Sequence, residues 1–125
     1  MSERILVLML HGSSDPRWRQ PFEELAHSFQ RLSQGSSVQV AYLQHTGPTL
    51  AQVVARGVQA RVSRFQVLPL FLSAGGHVSR DLPRLCDEIR REFPAIDVEL
   101  LPPMGEHPAF QRMLREIIAG YLDPP

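Results

Sequence analysis

Two hydrophobic periods alternate along this chain, and that alternation limits its fold more than any other feature. Short apolar runs at residues 5–10, 38–43, 65–72 and 96–101 have the length and composition of β-strands. After the first run come Phe22, Leu25, Ala26, Phe29 and Leu32. After the second come Leu50, Val53, Val54 and Val58. Leu82, Leu85, Cys86, Ile89 and Phe93 follow the third, and Phe110, Met113, Leu114, Ile117, Ile118 and Tyr121 the fourth. Such spacing gathers apolar side chains on one face of a helix. Strand then helix, four times over, is the pattern of an α/β fold with a mostly parallel sheet and helices on both faces. A chain of 125 residues suits one domain, assigned to residues 1–123, with Pro124-Pro125 as a loose tail.

The runs are not equivalent. Residues 5–10 are apolar throughout and residues 65–72 nearly so, as expected of strands buried on both faces. The second and fourth runs alternate with polar residues (Gln39, Asp97, Glu99), as edge strands do. With right-handed crossovers this predicts the strand order 2-1-3-4. Pro69 conflicts with a long third strand, because proline has no N–H for the ladder; a bulge or an early end to pairing is expected there. The order reverses between strands 1 and 3. Open α/β sheets bind ligands in the crevice at such a switch point, beyond the carboxyl ends of the strands.

The residues at those ends are rich in coordinating groups. Strand 1 runs into His11-Gly12-Ser13-Ser14 and strand 3 into Ser73-Ala74-Gly75-Gly76-His77. Strand 2 leads to Gln44-His45 and strand 4 to Glu106-His107, so four of the five histidines lie at one edge of the sheet. Neutral imidazole binds zinc, iron, cobalt and nickel, and near neutral pH it also accepts a proton. A histidine in a loop can equally be a plain hydrogen-bonding residue, and His27, off the apolar face of the first helix, reads as surface. Ser13, Ser14 and the helix expected to begin near Asp81 can present donors to an anion or simply cap helices. Gly12, Gly75 and Gly76 read as turn residues that also let backbone approach a large flat ligand. Arg17, Arg19, Arg80 and Arg84 flank the histidine loops, as partners for substrate carboxylates or as solvated charge. Trp18 covers apolar ligand surface or a dimer partner. Cys86, Met9, Met104 and Met113 read as core or near-core packing.

Composition removes several classes of function. Lys plus Arg and Asp plus Glu are 13 each, which is no footprint for nucleic acid. The longest apolar run is too short to cross a bilayer, and residues 1–4 lack the layout of a signal peptide, so a cytoplasmic protein is expected. One cysteine excludes an intrachain disulfide and a cysteine-based zinc cluster. The chain has no G-x-S-x-G nucleophile elbow, no P-loop ending and no G-x-G-x-x-G.

Residues 8–17, reading Leu-Met-Leu-His-Gly-Ser-Ser-Asp-Pro-Arg, followed by Pro21-Phe22-Glu23, resemble the first motif of the CbiX/SirB-type sirohydrochlorin chelatases. Residues 67–72, then Gly75-Gly76-His77-Val78 and Asp81-Leu82-Pro83, resemble the second. Pro48-Thr49-Leu50 and Gly105-Glu106-His107-Pro108 fall where that family has similar segments. The resemblance implies the chelatase fold, a homodimer standing in for two-domain chelatases, and a substrate cleft shared between subunits. It makes His11 and His77 metal ligands, one of them also a base. Ser13, Ser14, Arg17, Gln44, Gly75, Gly76 and Arg80 then border the substrate. One position departs from the pattern: where the family usually carries Glu, this chain has Gln44. A neutral amide is no base and offers a metal only a weak carbonyl oxygen. His45 is a further candidate ligand, although neighbours on a strand point opposite ways.

The implied reaction places a divalent metal (Co²⁺ or Fe²⁺, with Ni²⁺ also compatible) into sirohydrochlorin, with no cofactor consumed. Cobalt would belong to cobalamin synthesis and iron to sirohaem synthesis; the Irving–Williams order does not let sequence choose between them. The competing expectation is a relative that binds metal or tetrapyrrole without turnover.

Overall fold

The computed structural model describes residues 4–29, 36–73 and 77–123, with residues 77–79 described by backbone alone. Strand β1 (Arg4–Leu10) is followed by α1 (Pro16–Phe29), β2 (Ser36–Tyr42), α2 (Leu50–Gln59), β3 (Arg64–Pro69) and α3 (His77–Glu92). Strand β4 (Asp97–Leu100), a 3₁₀ turn (Met104–Glu106) and α4 (Pro108–Leu122) complete the order. All strand pairs are parallel, in the order β2-β1-β3-β4, as the distribution of polar residues among the strands predicts.

Parallel strands joined by helices must bury their apolar sides under those helices. On one face Ile5, Val7 and Met9 of β1 join Phe65 and Val67 of β3, Val98 of β4, Val53 and Val54 of α2, and Leu82, Cys86 and Ile89 of α3. On the other, Leu8, Val40 and Tyr42 pack with Ala26, the one buried residue of α1. Thr49 starts α2 with a capping box: its hydroxyl accepts from the Gln52 amide while the Gln52 side chain accepts from the Thr49 amide. No helix among the described residues is long and apolar enough to cross a membrane.

Strand β3 stops at Pro69, the early end expected there, although the Leu70 amide still donates to the Met9 carbonyl at 2.9 Å. Two expectations change. Helix α3 begins at His77, not near Asp81, and contains Pro83 in its interior. Met113 is not core. It is 48% exposed on α4, which has no buried residue at all. Gly75, Gly76, the side chain of His77 and Pro124-Pro125 lie outside the described residues.

Candidate active site at the strand ends

The loops that leave β1 and β2 are tied to each other beyond the strands. The Leu43 amide donates to the Leu10 carbonyl and the Gln44 amide to the His11 carbonyl, each at 3.0 Å. Gly12 makes this possible. Its φ is +102°, and a Cβ there would run into the Gln44 carbonyl. His11 and Gln44 are therefore held side by side by backbone. His11 is exposed, and its ring lies 4.5 Å from that of buried Phe71, just past the end of β3.

The turn after β4 is fixed to the same edge. The Gly105 amide donates to the Phe71 carbonyl at 3.0 Å, and a Cβ at Gly105 would strike the Leu72 backbone. Four strand ends thus meet around His11 and Phe71, as the switch-point rule anticipates. His107 has a structural role in this arrangement: its Nδ1 accepts from the Ala109 amide at 3.3 Å, capping α4. His27 is exposed on α1, as read from its position in the sequence.

A cavity of about 240 Å³ opens beside His11, lined by Leu10, Gly12, Ser13, Trp18, Arg19, Phe22, Tyr42 and Leu70. Its polar groups are few and specific. The Tyr42 hydroxyl donates to Glu23 at 2.7 Å. Burial first, then the Glu23 carboxylate, holds this phenol well above its ordinary pKa, so it stays protonated as a donor. Arg19 donates through Nη1 to the Thr46 hydroxyl at 3.1 Å. Its Nε is buried and has no hydrogen-bond partner among the described residues. Trp18, 71% exposed, stands at the rim.

The serine and arginine candidates separate. Ser13 accepts from the Asp15 amide at 3.1 Å, and Asp15 in turn accepts from the Arg17 amide at 3.0 Å, the local pattern of a helix start. Arg17 is exposed and makes a forked pair with Asp15, at 3.1 and 2.7 Å. That pair lowers the Asp15 pKa and raises that of Arg17. Ser14 and Arg80 are exposed and line no cavity described here. Arg19 is the cation that faces the space beside His11. In the sequence Arg19 is not distinguished from its neighbours, because the pairing of Arg17 with Asp15 depends on the geometry of the turn.

Gln44 and His45 lie past the end of β2, so strand alternation does not govern them. His45 is exposed and takes a left-handed backbone (φ 71°), uncommon for any residue but glycine. Gln44 lines a second cavity of about 250 Å³ with Leu43, Asp81, Arg84, Leu85 and Glu88. Asp81 and Arg84 pair at 3.0 Å. Cys86 is fully buried, and burial pushes its thiol pKa up, which makes it inert packing. Among the described residues no group of three or more His, Cys, Asp or Glu side chains could hold a metal ion.

Residues 5–120 match the CbiX family model. A sirohydrochlorin cobaltochelatase of Methanopyrus kandleri is 31% identical over 80 residues, which are 64% of this chain and 56% of that protein. The match thus spans little more than half the length of that curated relative. The crystal structure of a CbiX protein from Marinobacter aquaeolei VT8 superposes with a TM-score of 0.80 at 30% identity, over 98% of this chain and 99% of that one. The sirohydrochlorin chelatase SirB of Bacillus subtilis subspecies spizizenii, solved in complex with cobalt, gives a TM-score of 0.78 at 16% identity. That likeness is one of fold, and it covers 98% of this chain but 51% of SirB.

Proposed function

Because the chain belongs to the CbiX family, with residues 5–120 matching its model, we propose that it inserts a divalent metal into the tetrapyrrole sirohydrochlorin. The observation that carries this reading is the setting of His11. It is an exposed imidazole at the switch point, held beside Gln44 by backbone and opening on an apolar cavity with one partly buried arginine. Few polar groups on an apolar wall suit a large flat ligand with ionised edges.

In this reaction the ring loses two pyrrole protons as the dication enters, so charge balances. His11 and His77 hold the incoming metal, and one of them accepts a proton; His45 is the further ligand candidate. Two or three ligands, rather than a closed cage of four, let the metal be released into the ring. Ser13, Ser14, Gly75, Gly76, Arg17 and Arg80 border the substrate, and Arg19 joins them as the partner of a substrate carboxylate. Cobalt is the first choice of metal, with the cobaltochelatase relative as support, and iron and nickel are the alternatives. Cobalt would place the reaction in cobalamin synthesis, iron in sirohaem synthesis.

The working unit is a homodimer. Drug-sized ligands occupy clefts of about 300–1,000 Å³, and a cavity of about 240 Å³ on one chain covers only part of a macrocycle. A second reading, binding without turnover, draws on Gln44, a neutral group where the family usually has a carboxylate. Sirohydrochlorin with Co²⁺, followed by absorbance, separates the two: turnover changes the spectrum at substoichiometric protein, whereas binding saturates at one equivalent.

A further inference from the structure

The His11 imidazole is exposed and makes no hydrogen bond among the described residues. Metal-binding imidazoles are normally oriented through their second nitrogen by a carboxylate, a carbonyl or water. The specific partner of this ring among the described residues is instead another ring. Phe71 stands 4.5 Å away, centroid to centroid, with the two planes tilted by 40°. An exposed side chain otherwise moves among several staggered settings, and only those aimed at the incoming metal serve a ligand.

Both members of this contact are anchored. Phe71 is buried and belongs to the main core, with Met9, Val67 and Leu82 in the same cluster. Its backbone is fixed from two sides. The Leu70 amide donates to the Met9 carbonyl at 2.9 Å, and the Gly105 amide donates to the Phe71 carbonyl at 3.0 Å. The His11 carbonyl accepts from the Gln44 amide at 3.0 Å. A core side chain thus reaches from a fixed backbone to an imidazole on another fixed backbone. On the far side of Phe71 a cavity of about 110 Å³ is lined by Pro69, Leu82, Pro83, Leu100, Leu101 and Pro103, with no ionisable side chain among them.

We propose that Phe71 is a positioning residue for His11: its ring holds the imidazole in the orientation that receives the metal. The inference rests on the proposed role of His11 as a metal ligand. Two properties of a phenyl ring suit the task. Its flat wall restricts the rotation of the imidazole without engaging either nitrogen. A hydrogen-bond acceptor would fix one tautomer, whereas a ring contact fixes the plane and leaves both nitrogens open, one for the metal and one for a proton. The aromatic face is also electron-rich, so the contact favours an imidazole that shares the charge of a dication. An aliphatic side chain of similar bulk supplies neither property. Orientation without a locked second nitrogen fits a ligand that takes up a metal and then gives it away.

The test is calorimetric titration of the full chain with Co²⁺ alone. Phe71→Leu keeps an apolar side chain and removes the ring. It should bind Co²⁺ about tenfold more weakly, the loss that follows removal of a group orienting a metal ligand. Phe71→Trp keeps an aromatic face, the cavity beside Phe71 leaves room for the larger ring, and most of the affinity should return. Leu101→Ala enlarges the same cavity and leaves the ring pair in place. It should lower the urea midpoint and leave Co²⁺ affinity unchanged. Proton NMR of the metal-free parent should show a cross-peak between the His11 and Phe71 rings, assigned by its loss in His11→Ala. A Phe71→Leu chain that binds Co²⁺ as the parent does overturns the proposal. So does a Leu101→Ala chain that loses as much affinity as Phe71→Leu, because packing and not the ring would then set it. Equal losses in Phe71→Leu and Phe71→Trp overturn it as well. Should the Phe71 variants fail to fold, the cross-peak of the parent decides, and its absence overturns the proposal. A parent that shows the expected Co²⁺ pattern but inserts no metal into sirohydrochlorin leaves the positioning role standing and removes the chelatase reading instead. A parent that binds no Co²⁺ removes both.

Discussion

Tyr42 shows how a single residue ties the site to the fold. Its phenol donates to Glu23 from a buried position, and both burial and the carboxylate raise its pKa above the ordinary phenol value of 10.0. A pKa raised on folding stabilises the fold fully below the unfolded value, and the contribution is lost as pH rises above about 10. The urea midpoint of the parent should therefore fall more steeply between about pH 9 and 11 than that of Tyr42→Phe. Equal slopes would mean that Tyr42 is neither buried nor bonded to Glu23 in solution. Gln44 offers a second residue-scale test. A carboxylate about 4 Å from a dication gains roughly 4 kcal/mol per unit charge at an effective dielectric of 20. A third of that is about tenfold in affinity. Gln44→Glu should bind Co²⁺ about tenfold more tightly by calorimetry, with Asp81 and Glu88 across the second cavity opposing part of the gain. His45→Ala is the control, and it should weaken binding only if His45 is a ligand. If neither variant differs from the parent, the β2 loop does not feed the site. The sequence placed His11 and Gln44 at the sheet edge because apolar runs mark where strands end. It could not single out Tyr42 or Arg19, whose roles depend on Glu23 and Thr46, residues 19 and 27 positions away.

At the scale of elements, strand order was readable because burial on two faces leaves a continuous apolar run, and β1 and β3 have it. Boundaries were harder where proline intervened. Pro69 ends β3 because it lacks the ladder N–H, while α3, expected near Asp81, starts about one turn earlier at His77 and runs through Pro83. Phe65 of β3, 1% exposed, shares the core with Ile5 of β1 and with Val53 and Val54 of α2. Phe65→Ala leaves a cavity that close-packed neighbours fill only in part, at a cost of about 3–5 kcal/mol. Urea denaturation should show a lower midpoint with an unchanged slope. A loss below about 1 kcal/mol would mean that the core collapses into the space or is looser than its burial indicates.

For the whole molecule, the periodicity of residues 110–121 predicts a helix with an apolar face. The helix is there, but none of its residues is buried within the described chain, because an apolar stripe says that a face is apolar without saying what covers it. The α4 stripe is exposed and the cavity beside His11 is about 240 Å³. The central claim nonetheless concerns chemistry, and insertion of Co²⁺ into sirohydrochlorin, followed by absorbance with catalytic amounts of protein, tests it most directly. The parent should exceed the uncatalysed rate and turn over many times. His11→Ala should lose roughly 100-fold or more of that rate, the range for removing a positioned base, while remaining folded and of the same mass. A parent no faster than free metal with free ring, or a His11→Ala variant as fast as the parent, would contradict the account.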